Sequence, residues 1–206
     1  MRVTAETRTA TRERILAAAR RLFAANGFAA TTTRDIAQGA EIATGTLFNY
    51  FPAKEAIVAN LAAEAIAGVE RDLARGDFAA DSLAEELFAF VAAGLRKLKA
   101  LRQDLPVVLE TSLNPLIVSS GDDSQWLRSS HLEAVSRMAG QHGHKELSAV
   151  ALQLYWSLYT GLLMYWANDT SPRQEDSLAL LDHSLEMFVG WLEGQRDNSS
   201  VKPQNK

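Results

Sequence analysis

Apolar residues recur every three or four positions along almost the whole chain, and this spacing constrains the fold more than any other feature. In the first such stretch, Ile15, Ala19 and Phe23 fall on one helical face. No stretch alternates apolar and polar residues as a β-strand would. The pattern predicts an all-α protein of about nine helices, in which three short helices precede a long one and the rest form a helical bundle.

Composition excludes several classes of protein. The 206 residues include no cysteine, which rules out a disulfide framework, a cysteine zinc site and a thiol nucleophile. The most apolar stretch, 149–167, contains Gln153, Ser157 and Thr160, so we interpret it as a buried or interface helix rather than a membrane span. No secretory signal precedes residue 15, and we expect a cytoplasmic protein with no membrane contact.

Charge is distributed unevenly along the chain. Residues 1–60 contain eight basic and five acidic residues, whereas the remainder contains 13 basic and 20 acidic residues. A mildly basic front on an acidic body indicates a localised contact with a polyanion. The alternative is an ordinary solvated basic face.

Capping residues and chain breakers set the expected boundaries. We expect the first helix to begin at Thr11 as its N-cap and to end at Gly27. Later helices are predicted at about 53–74, 81–102, 125–140, 145–168 and 172–193, with a short one from Pro106 and N-cap candidates at Asp122 and Asp123. We divide the chain into an N-terminal three-helix domain (1–52), a helical ligand-binding and dimerisation domain (53–195) and a disordered polar tail (196–206).

The stretch between the first helix and the first long one contains two short helices. Thr32 and Asp35 have the spacing of a capping box, which predicts a helix over 33–39. A tight turn at 40–42 and a second helix at about 44–50, stopped by Pro52, complete a helix-turn-helix outline.

In a helix-turn-helix, the second helix enters the major groove of DNA and its N-terminal residues meet base edges. The residues suited to bases or phosphates are Thr33, Thr44, Gly45, Thr46, Asn49, Tyr50 and Lys54. We expect Leu47, Phe48 and Phe51 to pack inward or to form the wall of the module. The alternative is that these are merely two connecting helices.

The residues of this region also carry a family resemblance. The stretch "TRERILAAARRLFAANGFAATTTRDIAQGAEIATGTLFNYFPAKEAI", within roughly residues 10–58, resembles the DNA-binding region of the TetR family of transcriptional regulators. Its matching elements are "ILAAARRLFAANGF", "TTTRDIA", "GTLFNYF" and "KEAI". The resemblance implies a dimer, usually a repressor, that reads a near-palindromic operator. It also implies that the helix from Thr44 is the recognition helix and that the seven residues named above contact DNA.

Three positions depart from the pattern of the family. Glu41 occupies a turn position that is often Gly, and Ala43 replaces a frequent Ser or Thr before the recognition helix. We therefore expect Thr44 to serve as N-cap instead. Phe48 replaces a more usual Tyr, which removes a phenol that often touches phosphate.

By the same resemblance, the last two helices pair across a two-fold axis, and the body encloses a cavity for a small organic ligand. An apolar stripe of the last helix, Leu178, Leu181, Leu185, Phe188, Val189 and Leu192, is consistent with this, although a plain intrachain bundle is the alternative. The candidate ligand contacts are Phe90, Glu110, Asn114, Trp126, His131, Tyr155, Tyr159 and Met164. The aromatics could equally be simple core, His131 an ordinary surface or hydrogen-bonded histidine, and Glu110 either a partner for a cationic ligand or a solvated carboxylate.

No cofactor or catalytic motif is predicted. A metal site is not predicted either, because His142, His144 and Glu146 lack helical metal-ligand spacing. Three functions follow. The first is a ligand-responsive repressor of transcription. The second is an all-α enzyme or small-molecule carrier with a vestigial helix-turn-helix. The third is an activator or dual regulator.

Overall fold

A computed structural model gives the structure of the chain and describes residues 5–75, 80–102, 105–106, 122–144 and 146–200. Within these ranges the structure contains eight α-helices and two short 3-10 turns, and no strand. The helices are α1 (Ala5–Asn26), α2 (Thr33–Gly39), α3 (Thr44–Phe48), α4 (Lys54–Arg75), α5 (Leu83–Leu98), α6 (Asp122–Gln141), α7 (Ala149–Asn168) and α8 (Glu175–Ser200). The 3-10 turns lie at Lys99–Leu101 and Pro172–Gln174. The all-α prediction is confirmed.

Two expected boundaries are wrong. Helix α1 begins at Ala5, so Thr11 lies inside it and donates its hydroxyl to the carbonyl of Thr7 at 2.8 Å instead of capping the helix. Helix α8 continues to Ser200, so the predicted tail is helical over residues 196–200. The short helix expected from Pro106 falls mainly on residues outside the described ranges, and so do residues 201–206.

Other helix ends lie where local chemistry predicts them. Gly27 follows α1 with φ of 78°, a left-handed conformation that glycine adopts without steric cost, and its N–H donates to the carbonyl of Phe23 at 2.9 Å. Asp122 and Asp123, proposed as N-caps, are instead the first two residues inside α6, so that part of the prediction is wrong. Ser148 caps α7, because its hydroxyl accepts a hydrogen bond from the N–H of Ala151 at 3.1 Å.

Contacts divide the chain into two compact units. Unit 1 comprises Met1–Gly68 and Lys97–Ser129, and unit 2 comprises Val69–Arg96 and Ser130–Lys206. In unit 1, apolar side chains from the first four helices and from the segment between α3 and α4 share one core, in which large side chains that are completely buried include Ile15, Ile36, Leu47, Phe51 and Ile57. Burying such a set removes apolar surface from water and fixes the short helices, which would not be stable alone.

Polar contacts also join α1 to α4 in unit 1. The guanidinium of Arg12 bonds the amide of Asn60 and lies 5.6 Å from the centre of the Phe51 ring. Arg20 pairs with Glu64 at 2.9 Å, an exposed contact that adds at most about 1 kcal/mol. These contacts orient the start of α4 against the helix that supports the helix-turn-helix.

In unit 2 the corner between α7 and α8 is built on Asp169. Its carboxylate accepts hydrogen bonds from the N–H of Ser171 at 2.7 Å and from the N–H of Ser177 at 3.0 Å. Partial burial alone would raise the pKa of Asp169, but the hydrogen bonds from Ser171 and Ser177 outweigh it and hold the pKa well below its usual range. The corner therefore sets the return angle of α8 along α7.

Candidate nucleic-acid interface and ligand site

The capping box predicted for α2 is present. The hydroxyl of Thr32 accepts a hydrogen bond from the N–H of Asp35 at 3.1 Å, and the carboxylate of Asp35 accepts one from the N–H of Thr32 at 2.9 Å. Hydrogen bonds from Thr32 lower the pKa of Asp35. The arrangement satisfies two backbone donors and fixes the start of α2, where Thr33 stands as the first residue.

The turn between α2 and α3 is tight and contains a strained residue. Ile42 donates its N–H to the carbonyl of Ala37 at 3.0 Å, which closes the turn. Glu41 adopts φ of 56°, in the left-handed region that favours glycine. Glu41 therefore holds a conformation that a glycine would adopt without steric cost, and its carboxylate is exposed.

Helix α3 has no side-chain cap at its N-terminus, because Ala43 is the N-cap residue and cannot accept a hydrogen bond. The expectation that Thr44 serves as N-cap is wrong, since Thr44 is the first helical residue. The helix ends at Phe48 rather than at Tyr50, with Asn49 as its C-cap.

The core side of α3 differs from the expectation at one residue. Leu47 and Phe51 are fully buried, as predicted. Phe48 is 48% exposed and does not pack inward. The five-residue helix completes only one turn and a half, so Leu47 already fills its narrow buried side and Phe48, one position later, is rotated out of it.

The seven predicted DNA contacts all reach the surface of unit 1. Gly45 and Asn49 are exposed, and the half-buried members are Thr33, Thr44, Thr46, Tyr50 and Lys54. A Cβ added at Gly45 would have no heavy atom within 4 Å, so the backbone there is open to a close neighbour. The sequence interpretation omitted Arg34, an exposed cation beside Thr33 that its position in the first turn of α2 could have indicated.

Lys54 has a structural role as well. Its ammonium donates to the carbonyl of Phe28 at 2.5 Å and to the carbonyl of Thr31 at 2.7 Å, and it lies 4.0 Å from the centre of the Phe28 ring. Two of its three donors thus hold the loop between α1 and α2. One donor is left over from these two bonds for a phosphate.

A buried aromatic cluster, which we define as Phe90, His131, Tyr155, Trp156 and Tyr159, forms the centre of unit 2. The His131 ring stacks on Tyr159 with centroids 4.2 Å apart and lies 5.1 Å from the Phe90 centroid. Each of the five residues is at most 6% exposed. The structure therefore brings four of the predicted ligand residues together, and it adds Trp156, which lies three positions before Tyr159 and so on the same helical face.

His131 is an unusual member of this cluster. Its Nε2 shares a hydrogen bond of 3.0 Å with the hydroxyl of Tyr155. Its Nδ1 is buried without a hydrogen-bond partner among the described residues. Burial lowers the pKa of His131 to about 3, so the ring is neutral near pH 7. Burial also raises the pKa of Tyr155 and Tyr159. The interpretation of His131 as a hydrogen-bonded histidine is confirmed, and a surface position is excluded.

A small cavity of about 10 Å³ lies beside the cluster, which is room for roughly one water molecule. Its lining is almost entirely apolar and includes Tyr155, Tyr159, Leu162, Ser184 and Leu185. A ligand larger than a water molecule would therefore have to displace side chains to bind in this cavity.

Of the four remaining ligand candidates, the structure describes only the side chain of Met164. Met164 is 38% exposed on the surface of α7. Glu110 and Asn114 lie outside the described residues, and so does the side chain of Trp126. They remain predictions.

The histidines after α6 form no metal site with other described residues. His142 instead pairs through Nε2 with the carboxylate of Glu86 at 2.9 Å, which ties the end of α6 to α5. No described helix is both long enough and apolar enough to cross a membrane.

The capped α2, the tight turn and the surface-facing α3 define a helix-turn-helix DNA-binding protein. Residues 15–61 match the sequence model of the family described as "Bacterial regulatory proteins, tetR family". Residues 15–61 therefore match the DNA-binding region of the TetR family of transcriptional regulators, and the chain shares the fold of solved members of that family. No curated protein sequence matches the chain.

Solved structures share this fold over nearly the whole chain. A TetR transcriptional regulator from Rhodococcus sp. RHA1 is 18% identical with a TM-score of 0.73, over 88% of this chain and 97% of that one. FadR of Thermus thermophilus, a TetR family repressor solved with lauroyl-CoA, is 26% identical with a TM-score of 0.63, over 86% and 93%. FadR of Bacillus subtilis, solved with stearoyl-CoA, is 21% identical with a TM-score of 0.55, over 86% and 97%.

Proposed function

We propose that this transcriptional regulator is a repressor that binds a near-palindromic operator as a homodimer and is released by a small organic ligand. Residues 1–52 read DNA and residues 53–195 bind the ligand and the partner subunit. The observation that carries the proposal is the surface of α3, where Gly45 on the helix and Asn49 at its C-cap are exposed while Leu47 is fully buried. A helix packed on one side and open on the other is what major-groove recognition requires.

Each predicted contact has a role that its chemistry supports. Asn49 has an amide that can pair bidentately with adenine, and the methyl and hydroxyl groups of Thr44 and Thr46 suit base edges. Gly45 lets the backbone approach the groove. Thr33, Tyr50 and the remaining donor of Lys54 bind phosphates and fix the register.

Exposed apolar side chains on the last two helices support the homodimer. They are Val150, Leu154, Met164 and Tyr165 on α7 and Leu178, Leu180 and Met187 on α8, and we call them the apolar stripe. Among the exposed positions of α7, six follow a spacing of four and three residues, as in helices that pack against a partner; they are 150, 154, 157, 161, 164 and 168. Five of the apolar residues predicted for the dimer surface of α8 are buried within the chain, so a different face of α8 meets the partner; the five are Leu181, Leu185, Phe188, Val189 and Leu192.

The aromatic cluster supports the ligand site. It combines large apolar surfaces with one unpartnered polar atom, Nδ1 of His131, which is the composition of a site for a compact and mostly apolar organic molecule. FadR of Thermus thermophilus and FadR of Bacillus subtilis were solved with acyl-CoA ligands, which is consistent with a sensor of organic molecules here. The proposal is a binding protein and not an enzyme.

The small size of the cavity suggests how a ligand bound at the aromatic cluster would release DNA. Because about 10 Å³ cannot hold an organic ligand, a ligand bound there would rearrange α7 or its neighbours. A ligand that fits only the rearranged state disfavours the DNA-bound state by its difference in affinity for the two states.

Selection of duplexes from a random library by the purified full-length protein, at two salt concentrations, tests the proposal. We expect a near-palindromic sequence whose half-sites lie about one helical turn or more apart. Asn49→Ala should weaken binding to that sequence about tenfold or more, whereas Asn26→Ala, at an exposed asparagine that ends α1, should not.

Recovery of no sequence at either salt would contradict operator binding. If the same protein then bound small organic molecules tightly, the carrier function would be favoured. A reporter gene behind the recovered operator distinguishes a repressor from an activator, because only a repressor lowers expression when it binds.

A further inference from the structure

Phe48 is the one large apolar side chain that unit 1 leaves exposed among its described residues, at 48%. Its neighbours in and next to α3, Leu47 and Phe51, are both completely buried. Unit 1 therefore has a packed core, and only part of the Phe48 side chain is buried in it. Nearly half of the residue is exposed, so its apolar surface is available for contact with a partner molecule.

The position of Phe48 in the helix places it beside the residues proposed to meet bases. It follows Thr44 by four residues and Gly45 by three, and positions at these spacings lie on the same helical face. A helical side chain leans toward the N-terminus of its helix and covers the preceding turn. Phe48 therefore lies on the same helical face as Gly45, whose backbone is open because no heavy atom lies within 4 Å of an added Cβ.

The chemistry of the ring determines what it can recognise. Phenylalanine has no donor or acceptor, so it cannot bond a phosphate or a polar base edge. The C5-methyl of thymine is the apolar group that base pairs present in the major groove. We propose that Phe48 is a specificity-determining residue that contacts a thymine methyl in each half-site of the operator.

This inference rests on the proposed function, because it requires α3 to lie in the major groove. Deoxyuridine provides the test, since it keeps every hydrogen-bonding group of thymine and lacks only the methyl. In the operator that the selection recovers, one thymine position is tested at a time. Deoxyuridine replaces the thymine at that position in both half-sites. Binding is measured at one fixed salt concentration for the wild type, Phe48→Ala and Phe48→Leu.

We expect one thymine position at which deoxyuridine weakens wild-type binding by about fourfold per half-site, the value of one buried methyl group. Phe48→Ala should bind thymine and deoxyuridine operators equally. Phe48→Leu, which keeps an apolar side chain, should retain part of the discrimination. Thermal unfolding of the variants checks that this exposed position leaves the fold intact.

Two results would overturn the inference while operator binding stands. One is that no deoxyuridine substitution affects the wild type. The other is that the same substitution affects the wild type and Phe48→Ala equally, so that another residue reads the methyl. If the selection recovers no operator, both the inference and the proposed function fail.

Discussion

Glu41 holds a backbone conformation that is unfavourable for a residue with a Cβ. At φ of 56°, a left-handed conformation costs roughly 1 kcal/mol relative to glycine. Its exposed carboxylate also lies in the turn that leads into the recognition helix, where a negative charge repels phosphates. One residue therefore affects both stability and DNA binding, and two substitutions can separate the effects.

We predict that Glu41→Gly raises the free energy of unfolding by up to about 1 kcal/mol, because it removes the strain. Glu41→Gln should leave the free energy of unfolding nearly unchanged, because it keeps the Cβ. Both should strengthen operator binding a few-fold at low salt, and the gain should shrink as salt screens the charge. Urea unfolding and operator titrations measure the two quantities. Equal stability of the two variants would show that the turn is unstrained.

His131 connects burial to pH. The pKa of His131 is lowered to about 3 in the folded chain, against an ordinary value of 6.5. Between pH 3 and pH 6.5 the unfolded chain therefore binds a proton at this residue that the folded chain does not bind. The stability that the neutral ring contributes is therefore complete above pH 6.5 and is lost as pH falls toward 3.

We predict that the free energy of unfolding falls by up to about 1.4 kcal/mol per pH unit below pH 6.5 through this group. His131→Phe keeps an aromatic ring and removes the titration. It should be less stable at pH 7, because it leaves the Tyr155 hydroxyl without its partner, but its stability should depend less on pH. Urea unfolding at pH 7, 6 and 5 compares the slopes, and parallel slopes would contradict the assignment.

At the scale of single residues, an interaction is predictable when its two partners lie close together in the sequence. The capping box of Thr32 and Asp35 needs only residues three apart, and the sequence identified it. The exposure of Phe48 depends on which positions α1 and α2 leave free for α3, which is a tertiary property. The same reason explains why the sequence does not assign Trp156 to the aromatic cluster, since its partner His131 lies on a different helix, α6.

At the scale of the element, α3 is a short helix without a side-chain cap. Ala43 already has the extended φ and ψ of an N-cap, at −70° and 145°, and its carbonyl accepts from the N–H of Thr46 at 2.9 Å. A hydroxyl at this position would need no backbone change to accept a hydrogen bond from the first turn.

We predict that Ala43→Thr raises the free energy of unfolding by about 1 kcal/mol. Ala43→Val is the matched control, because valine has the same shape and no hydroxyl. Both are measured by thermal unfolding without DNA, where a gain of that size corresponds to a few degrees in Tm. If the two variants were equally stable, the N-terminus of α3 would not be limited by its missing cap.

Helix ends show the limits of sequence interpretation at this scale. Gly27 was a correct stop signal because its left-handed φ ends α1 on its own. Thr11 was a wrong start signal, since α1 runs on toward Ala5 and absorbs a residue that could have been a cap. Polar composition likewise indicated disorder from residue 196, although α8 extends to Ser200. A capping residue is a local signal that a helix can start there, but the chain before it decides whether the signal is used.

At the scale of the whole molecule, α8 has two apolar faces with different roles. Leu181, Leu185 and Phe188 are buried within unit 2, as the 3.6-residue period predicts. Leu180 and Met187 lie on another face and are 38% and 65% exposed. A sequence pattern shows that both faces are apolar, but only the packed chain shows which of them is still uncovered.

We predict that Met187→Glu converts the proposed dimer into a monomer, because a two-fold axis places both copies of the new charge in one apolar interface. The dissociation constant should rise by at least about 100-fold, and operator affinity should fall with it, since each monomer reads only one half-site. Met187→Leu is the matched control and should remain dimeric, because it preserves the volume and the apolar surface. Sedimentation equilibrium across a range of protein concentrations measures the association of both variants. If Met187→Glu stayed dimeric, or if the wild type were a monomer at micromolar concentration, the apolar stripe would not be the dimer interface, and the paired reading of a palindrome would require another surface.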